Sequence, residues 1–440
     1  MPLTTRRIAL FFCFALSLAL LSNLAQAQTY SILYTFSGGA AGNEPVGGLT
    51  IDHAGNLYGT TFYGASDNCV YGCGTAFKLS HEAAGWTLDI LHTFLGGPDD
   101  GAGPISGLTF GPDGALYGTT TAGGQGNGQN CRGCGTVFRM TPPPTLCRTP
   151  LCPWIETVLY NFQGGPTDGQ APNYGSVIFD RAGNLYGGTI YGGNGGPVLC
   201  GSLGSCGIAY ELSPDSGGWQ ESVITRFGGS LGYQPYSGLI LDNAGDLYGT
   251  TTTGPSTVYE LTQNGSGWSV HVLYTFSNAP RDGSQVEGNL LFDQAGNLYG
   301  TTTTGGPNGG GTVFELSPSA GNWTLTTLYS FTGSSGSVGP TNLTMDAVGN
   351  LYGTTFAGEG LYGDGNVFKL SPSSGGWIYT SLHDFTGLNG DGYYPLGQTV
   401  LDSSGNLYGT TIGGGANCTV PSEDCGVVWE VAGATGELQH

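Results

Sequence analysis

The chain has 440 residues, 83 of them glycine, and only 9% are charged, with 10 Lys or Arg against 31 Asp or Glu. A formal net charge of −21 leaves too few cations to neutralise a run of phosphates or to sit on an anionic membrane, which excludes nucleic acid and membrane surfaces as partners. Hydrophobic residues at 38%, with 11% aromatics, supply material for a core and argue against disorder. In chain order, the first 27 residues read as an export signal. Arg6 and Arg7 precede an apolar run from Ile8 to Leu21, and Ala25-Gln26-Ala27 is a small-x-small cleavage site before Gln28. Cleavage there leaves 8 basic against 31 acidic residues. The apolar run is too short for a mature spanning helix, and nothing later approaches about 18 apolar residues. Residues 28–440 are therefore expected to form one exported domain, secreted, periplasmic or at the cell surface.

That domain is repetitive. The phrase Asp52-His-Ala-Gly-Asn-Leu-Tyr58-Gly-Thr-Thr returns with its tyrosine at Tyr117, Tyr186, Tyr248, Tyr299, Tyr352 and Tyr408, at spacings of 59, 69, 62, 51, 53 and 56 residues. A second phrase follows each copy, as in Gly311-Thr-Val-Phe314-Glu-Leu. A third sets a Trp eight residues before a Phe, from Trp86 to Phe94 through Trp377 to Phe385. Each unit reads as four short strands, because β-branched and aromatic residues alternate between Gly, Asn and Asp turns. The Asp-x-x-Gly-Asn element predicts a turn: the carboxylate accepts from backbone N–H groups two residues on, and Gly supplies a positive φ. Nothing after the signal carries a helical period, so the chain is all-β.

Seven four-stranded units predict a seven-bladed β-propeller, with a linear solenoid as the alternative. The phase of the ends separates them. Tyr30 to Phe36 is a fourth strand without its first three, and Gly426 to Val431 is a third strand without its fourth. The N-terminal strand is expected to complete the last blade, closing the ring and removing a sheet edge.

Gly-Asn-Leu-Tyr-Gly-Thr-Thr, Gly-Thr-Val-Phe-Glu-Leu-Ser-Pro, Gly-Gly-Trp and Leu-Tyr-Ser-Phe together resemble the GloVer tandem-repeat family of exported bacterial proteins, over Tyr30 to Val431. The resemblance implies no particular activity. It does imply varied C-terminal surface anchors, but Ala432 to His440 has no apolar tail, so release is expected. More distantly, the Asp-x-x-Gly-Asn-Leu-Tyr units resemble NHL-type propellers, which implies ligand binding more than catalysis.

Ten cysteines remain after processing, in close pairs: Cys69/Cys73, Cys131/Cys134, Cys147/Cys152, Cys200/Cys206 and Cys418/Cys425. In an exported chain these read as disulfides, each pair with itself. The rival reading is a metal, best at Cys131-Arg-Gly-Cys134, but structural zinc wants four clustered ligands and no histidine spacing supplies them. Short loops of this kind contribute about 2 kcal/mol each, so they stiffen loops more than they hold the ring. Four pairs fall between the second and third strands of blades one, two, three and seven. Those loops share a face with the blade-to-blade connections, where Asp99, Asp100, Asp168, Asp282 and Asp391 lie.

A long-looped acidic face on a rigid scaffold is expected to bind something, although Asp-Gly also simply makes turns. Aromatics that break the repeat are the stacking candidates: Tyr71, Tyr174, Tyr191, Tyr233, Tyr236, Tyr393 and Tyr394. No histidine pairs with a nucleophile signature. His92 and His383 replace a strand-four Tyr and read as packing. A binding module for an extracellular glycan or protein is favoured, acting as a monomer. The alternative is a glycoside hydrolase or polysaccharide lyase using funnel carboxylates. No motif implies a cofactor; calcium on acids such as Asp364 or Asp391 is the one ion that charge alone would admit.

Overall fold

The computed structural model describes residues 28–66, 68–70, 72–126, 133–143, 154–193, 206–265, 267–277, 282–332, 339–358, 362–416 and 425–435. They form seven antiparallel four-stranded sheets, the blades of a propeller, with 3-10 turns and no α-helix among the described residues. Blade one runs outward through Thr50–Ile51, Leu57–Thr61, Thr75–Glu82 and Gly85–Thr93. In blade three the second strand also pairs with an extra segment, Gly169–Pro172.

Each recurring phrase has a distinct structural task. Asp52 Oδ1 accepts from the N–H groups of Ala54 and Asn56, both at 2.9 Å, and Oδ2 accepts from Asn56 Nδ2 at 2.7 Å and the Tyr58 hydroxyl at 3.0 Å. Burial alone would raise the Asp52 carboxyl, but these donors hold it below its usual value. The same carboxylate-centred turn recurs at Asp180, Asp293, Asp346 and Asp402. Gly55, at φ 83°, occupies the left-handed position such a turn needs.

Gly-Thr-Thr in the second strand joins blade to blade. A Cβ on Gly300 would sit 2.5 Å from Cζ of Phe314, so the third-strand aromatic lies directly against backbone. The Thr301 hydroxyl donates to the Thr341 carbonyl of the next blade at 2.8 Å, and the Thr302 and Thr312 hydroxyls pair within the blade at 2.9 Å. Thr60 likewise donates to Ser106 O at 3.0 Å, and Thr410 to Gly47 O at 3.5 Å across the closure.

The core lies between blades. The Phe ending each outer strand packs at a tilted to edge-on angle against the third-strand aromatic of the next blade: Phe36 on Phe77, Phe94 on Phe138, Phe276 on Phe314, and so to Phe385 on Trp429, with centroids 5.2, 5.1, 5.2 and 6.0 Å apart. Such pairs contribute about 0.5–1.5 kcal/mol beyond area burial. Outer-strand tryptophans cover the turn tyrosines of the preceding blade, as Trp86 does Tyr408.

The ring closes as the phase of the ends predicts. Thr29–Thr35 pairs antiparallel with Val427–Ala432, from Thr29 opposite Ala432 to Thr35 opposite Val427. No described helix is long and apolar enough to cross a membrane.

A candidate ligand site at the mouth of the central channel

The segments leading into the innermost strands and the residues that follow the second strands of blades five and six, Thr303 and Phe356, meet near the axis on the long-looped face. There they enclose a cavity of about 380 Å³. Its floor is set by the residue two positions before the innermost strand in five blades: Gly48, Gly107 and Ser176 on one side, and Asn289 and Gln398 on the other. In blade six the equivalent residue, Asn342, lies inside the longer innermost strand Pro340–Met345. Glycines leave space there and amides fill it. Asn289 Oδ1 accepts from Gly238 N–H at 2.6 Å, and its Nδ2 donates to Gln398 Oε1 at 3.3 Å. Asn342 Oδ1 accepts from Asn289 N–H at 2.6 Å. Below this floor the channel continues past Thr50, Thr109 and Thr399.

The wall is aromatic. Tyr174 and Tyr236 hold equivalent positions in blades three and four and stack with centroids 5.7 Å apart and planes 22° from parallel. Across the cavity Phe356 stacks on Tyr394 at 4.7 Å and 19°. Blade five places Glu287 where its neighbours carry those tyrosines. Solvent reaches Glu287, yet the enclosing wall removes enough water to raise its carboxyl above the usual range. Burial, with the nearby Tyr191, Tyr174 and Glu287, pushes the Tyr236 phenol up to about 12. The arrangement offers aromatic faces, amides in a fixed network and one carboxylate.

The acids singled out in the sequence lie elsewhere. Asp100, Asp168, Asp282 and Asp391 each organise one blade-to-blade connection. Each accepts the N–H of the residue after the outer-strand Phe, from Leu95, Gln163, Ser277 and Thr386 at 2.8, 2.6, 2.9 and 2.9 Å. Each also faces the side chain two positions before that Phe, namely His92, Tyr160, Tyr274 and His383, at 3.3, 3.1, 3.3 and 3.3 Å. The four sit at separate seams and none lines the cavity. Asp99 is exposed and accepts from Gln125 Nε2 at 3.0 Å.

Among the tyrosines, Tyr174 and Tyr236 line the cavity and Tyr394 backs Phe356. Tyr233 packs into the core between blades three and four, and Tyr393 pairs with Gly413 beside Tyr394. Tyr71 lies outside the described residues. Glu287, Asn289, Asn342 and Gln398 escaped the sequence reading because each is a single departure inside an otherwise regular phrase. Superposing the seven repeats at the residues before the turn Asp would have exposed all four.

Cys69 is bonded to Cys73. Cys134, Cys206 and Cys425 are each disulfide-bonded, while Cys131, Cys147, Cys152, Cys200, Cys418 and the first 27 residues lie outside the described residues. Away from the channel, Glu156 and Glu221 lie in seams between blades, where burial first and the neighbouring Asp100 or Asp168 second push their carboxyls up to about 7.

The profile of the Gloeobacter/Verrucomicrobia repeat matches residues 20–198 and 198–422. The chain belongs to that family. Nothing among the curated proteins matches it. Among solved structures it is similar to virginiamycin B lyase from Staphylococcus aureus, at 14% identity and a TM-score of 0.54, covering 92% of this chain and 99% of that one. It is also similar to a fungal alcohol oxidase of the AA5 family, at 14% identity and a TM-score of 0.53, covering 92% and 76%. At these identities the likeness shows a propeller and nothing of its chemistry. For this member of the repeat family, function has to be argued from the channel mouth.

Proposed function

We propose that the protein is an exported, non-enzymatic binding module that receives an extracellular or cell-envelope glycan at the long-looped mouth of its channel. The observation that carries this is the stacked Tyr174–Tyr236 pair beside the amide floor of Asn289, Asn342 and Gln398. Aromatic faces suit the apolar faces of sugar rings, and fixed amides suit their hydroxyls. The cavity falls in the range of small-ligand sites, and its concavity favours a glycan end over a flat protein surface. Disulfides fit an oxidising compartment.

The test is a screen of plant and bacterial polysaccharides, with Tyr236→Ala and Asp282→Asn as paired variants. Binding is expected to weaken tenfold or more in Tyr236→Ala and to be unchanged in Asp282→Asn. No glycan bound, or equal binding by both variants, would overturn the reading; retention of an envelope protein instead would move the partner class to protein.

A glycoside hydrolase or lyase is the second reading, and the raised Glu287 carboxyl is what favours it. Hydrolysis needs two carboxyls about 5–9.5 Å apart across a sugar bond, and Glu287 is the one carboxylate among the described lining residues. Turnover that disappears in Glu287→Gln would decide for catalysis.

A further inference from the structure

At most seams the turn aspartate meets a partner that leaves no ligand set. At the sixth-to-seventh seam His383 Nε2 lies 3.3 Å from both Asp391 oxygens, and the third neighbour is Tyr30, whose hydroxyl donates to Asp391 at 2.8 Å. At the second-to-third seam Tyr160 donates to Asp168, and the nearby Glu221 has Arg226 as a countercharge. The first-to-second seam differs from both. There His92 Nε2, Asp100 and Glu156 bring one ligand atom each within 4.8 Å of one another, the one such group among the described residues. Glu156 Oε1 is buried and has no hydrogen-bond partner. A buried carboxylate oxygen beside a second carboxylate is costly unless it takes up a proton or a cation.

We propose that His92, Asp100 and Glu156 form a binding site for a divalent transition-metal ion of the zinc class, tying the outer strand of blade one to that of blade two. The donor set of one imidazole and two carboxylates is a zinc set. A zinc tetrahedron with bonds of about 2.0–2.1 Å has edges of about 3.3–3.4 Å, and His92 Nε2 stands 3.3 Å from Asp100 Oδ1. Asp100 is already aimed by backbone donors, Leu95 N–H at 2.8 Å and Gly101 N–H at 2.7 Å, the outer-shell support that fixes a ligating carboxylate. Glu156 is the longest and most adjustable of the three, and it enters from the neighbouring blade. The His92 and Asp100 side chains keep 21% and 13% exposure, so an ion has a way in and water can take the fourth position. With one ligand from the outer strand of blade one, one from the following turn and one from blade two, the ion acts as a structural clamp.

The experiment uses the exported, disulfide-intact protein, stripped with chelator and titrated with zinc against a chromophoric competitor, with bound metal counted by elemental analysis. Wild type is expected to take up one zinc per chain and to melt at a higher temperature when loaded. Glu156→Gln and His92→Tyr, which installs the residue found at that position in blades two and four, are expected to lose affinity tenfold or more. Glu156→Gln should also melt higher than wild type without metal, because it removes the buried charge. His383→Tyr is expected to bind as wild type does. A wild-type chain that takes up no stoichiometric zinc at micromolar concentration overturns the proposal, as does wild-type affinity in either seam variant, which would put the metal on other ligands.

Discussion

The ring of Tyr30 lies flat on the imidazole of His383, centroids 3.5 Å apart and planes 4° from parallel, although the two are 353 positions apart. The Tyr30 hydroxyl also donates to Asp391, so the strand that closes the ring is attached by a stack and a charge-assisted hydrogen bond. Tyr30→Ala is expected to destabilise the fold by about 2–4 kcal/mol through lost packing. Tyr30→Phe keeps the stack and is expected to cost about 1 kcal/mol. Urea unfolding of both variants checks the order; equal losses would mean that the stack contributes nothing.

The turn aspartates make two different demands. Both oxygens of Asp391 accept from backbone, Oδ1 from Gly392 and Oδ2 from Thr386, so an amide there must turn its NH2 toward one of those donors. Asp282 receives Tyr274, Ser277 N–H and the Ser277 hydroxyl all on Oδ2, and its Oδ1 is buried without a partner. Asp391→Asn is therefore expected to cost about 1–3 kcal/mol, and Asp282→Asn less than about 1 kcal/mol. Denaturant midpoints of the pair measure the difference, and the reverse ranking would contradict the hydrogen-bond assignment.

Gly300 faces a fully buried Phe314 ring. Gly300→Ala is expected to cost about 1–3 kcal/mol by overpacking. Combining it with Phe314→Leu should recover part of the loss, giving a favourable coupling in a double-mutant cycle. Strict additivity would show that the contact is not the reason for glycine.

Glu221 predicts a pH dependence. Its carboxyl stands at about 7 in the fold, above the usual value for glutamate, so the folded protein binds the extra proton between roughly pH 4.5 and 7. Stability from this group is complete below that window and is lost as pH rises through 7. Solvent screening at a part-exposed seam reduces the effect to about 1 kcal/mol. Glu221→Gln is expected to flatten the fall in melting temperature across that window; an unchanged slope would assign it to other groups.

The sequence and the structure agree wherever a residue recurs. The turn at Asp52 and the closure by Thr29–Thr35 were legible because repetition separates folding devices from chance. The channel mouth was not. Asn289, Asn342 and Gln398 act by filling a position that glycine leaves open elsewhere, and that contrast exists only after the blades are wrapped about an axis. Asp100 and Asp391 were conspicuous for the opposite reason. They recur with a following Gly because the connection needs a carboxylate to accept the N–H after the outer-strand Phe, and that need gives the same sequence pattern as a row of ligands would.

The composite seventh blade also governs when the protein can become whole. Ser31 and Glu430, which meet across it, are 399 positions apart. The first strand of the ring therefore has no partner until the third strand of the seventh blade has been synthesised. Intermediate blades can form from neighbouring segments, but locking the circle is a late event with a high loop-closure cost. Until then the ring presents two open sheet edges, so a nascent chain is at its most aggregation-prone just before the seventh blade is complete.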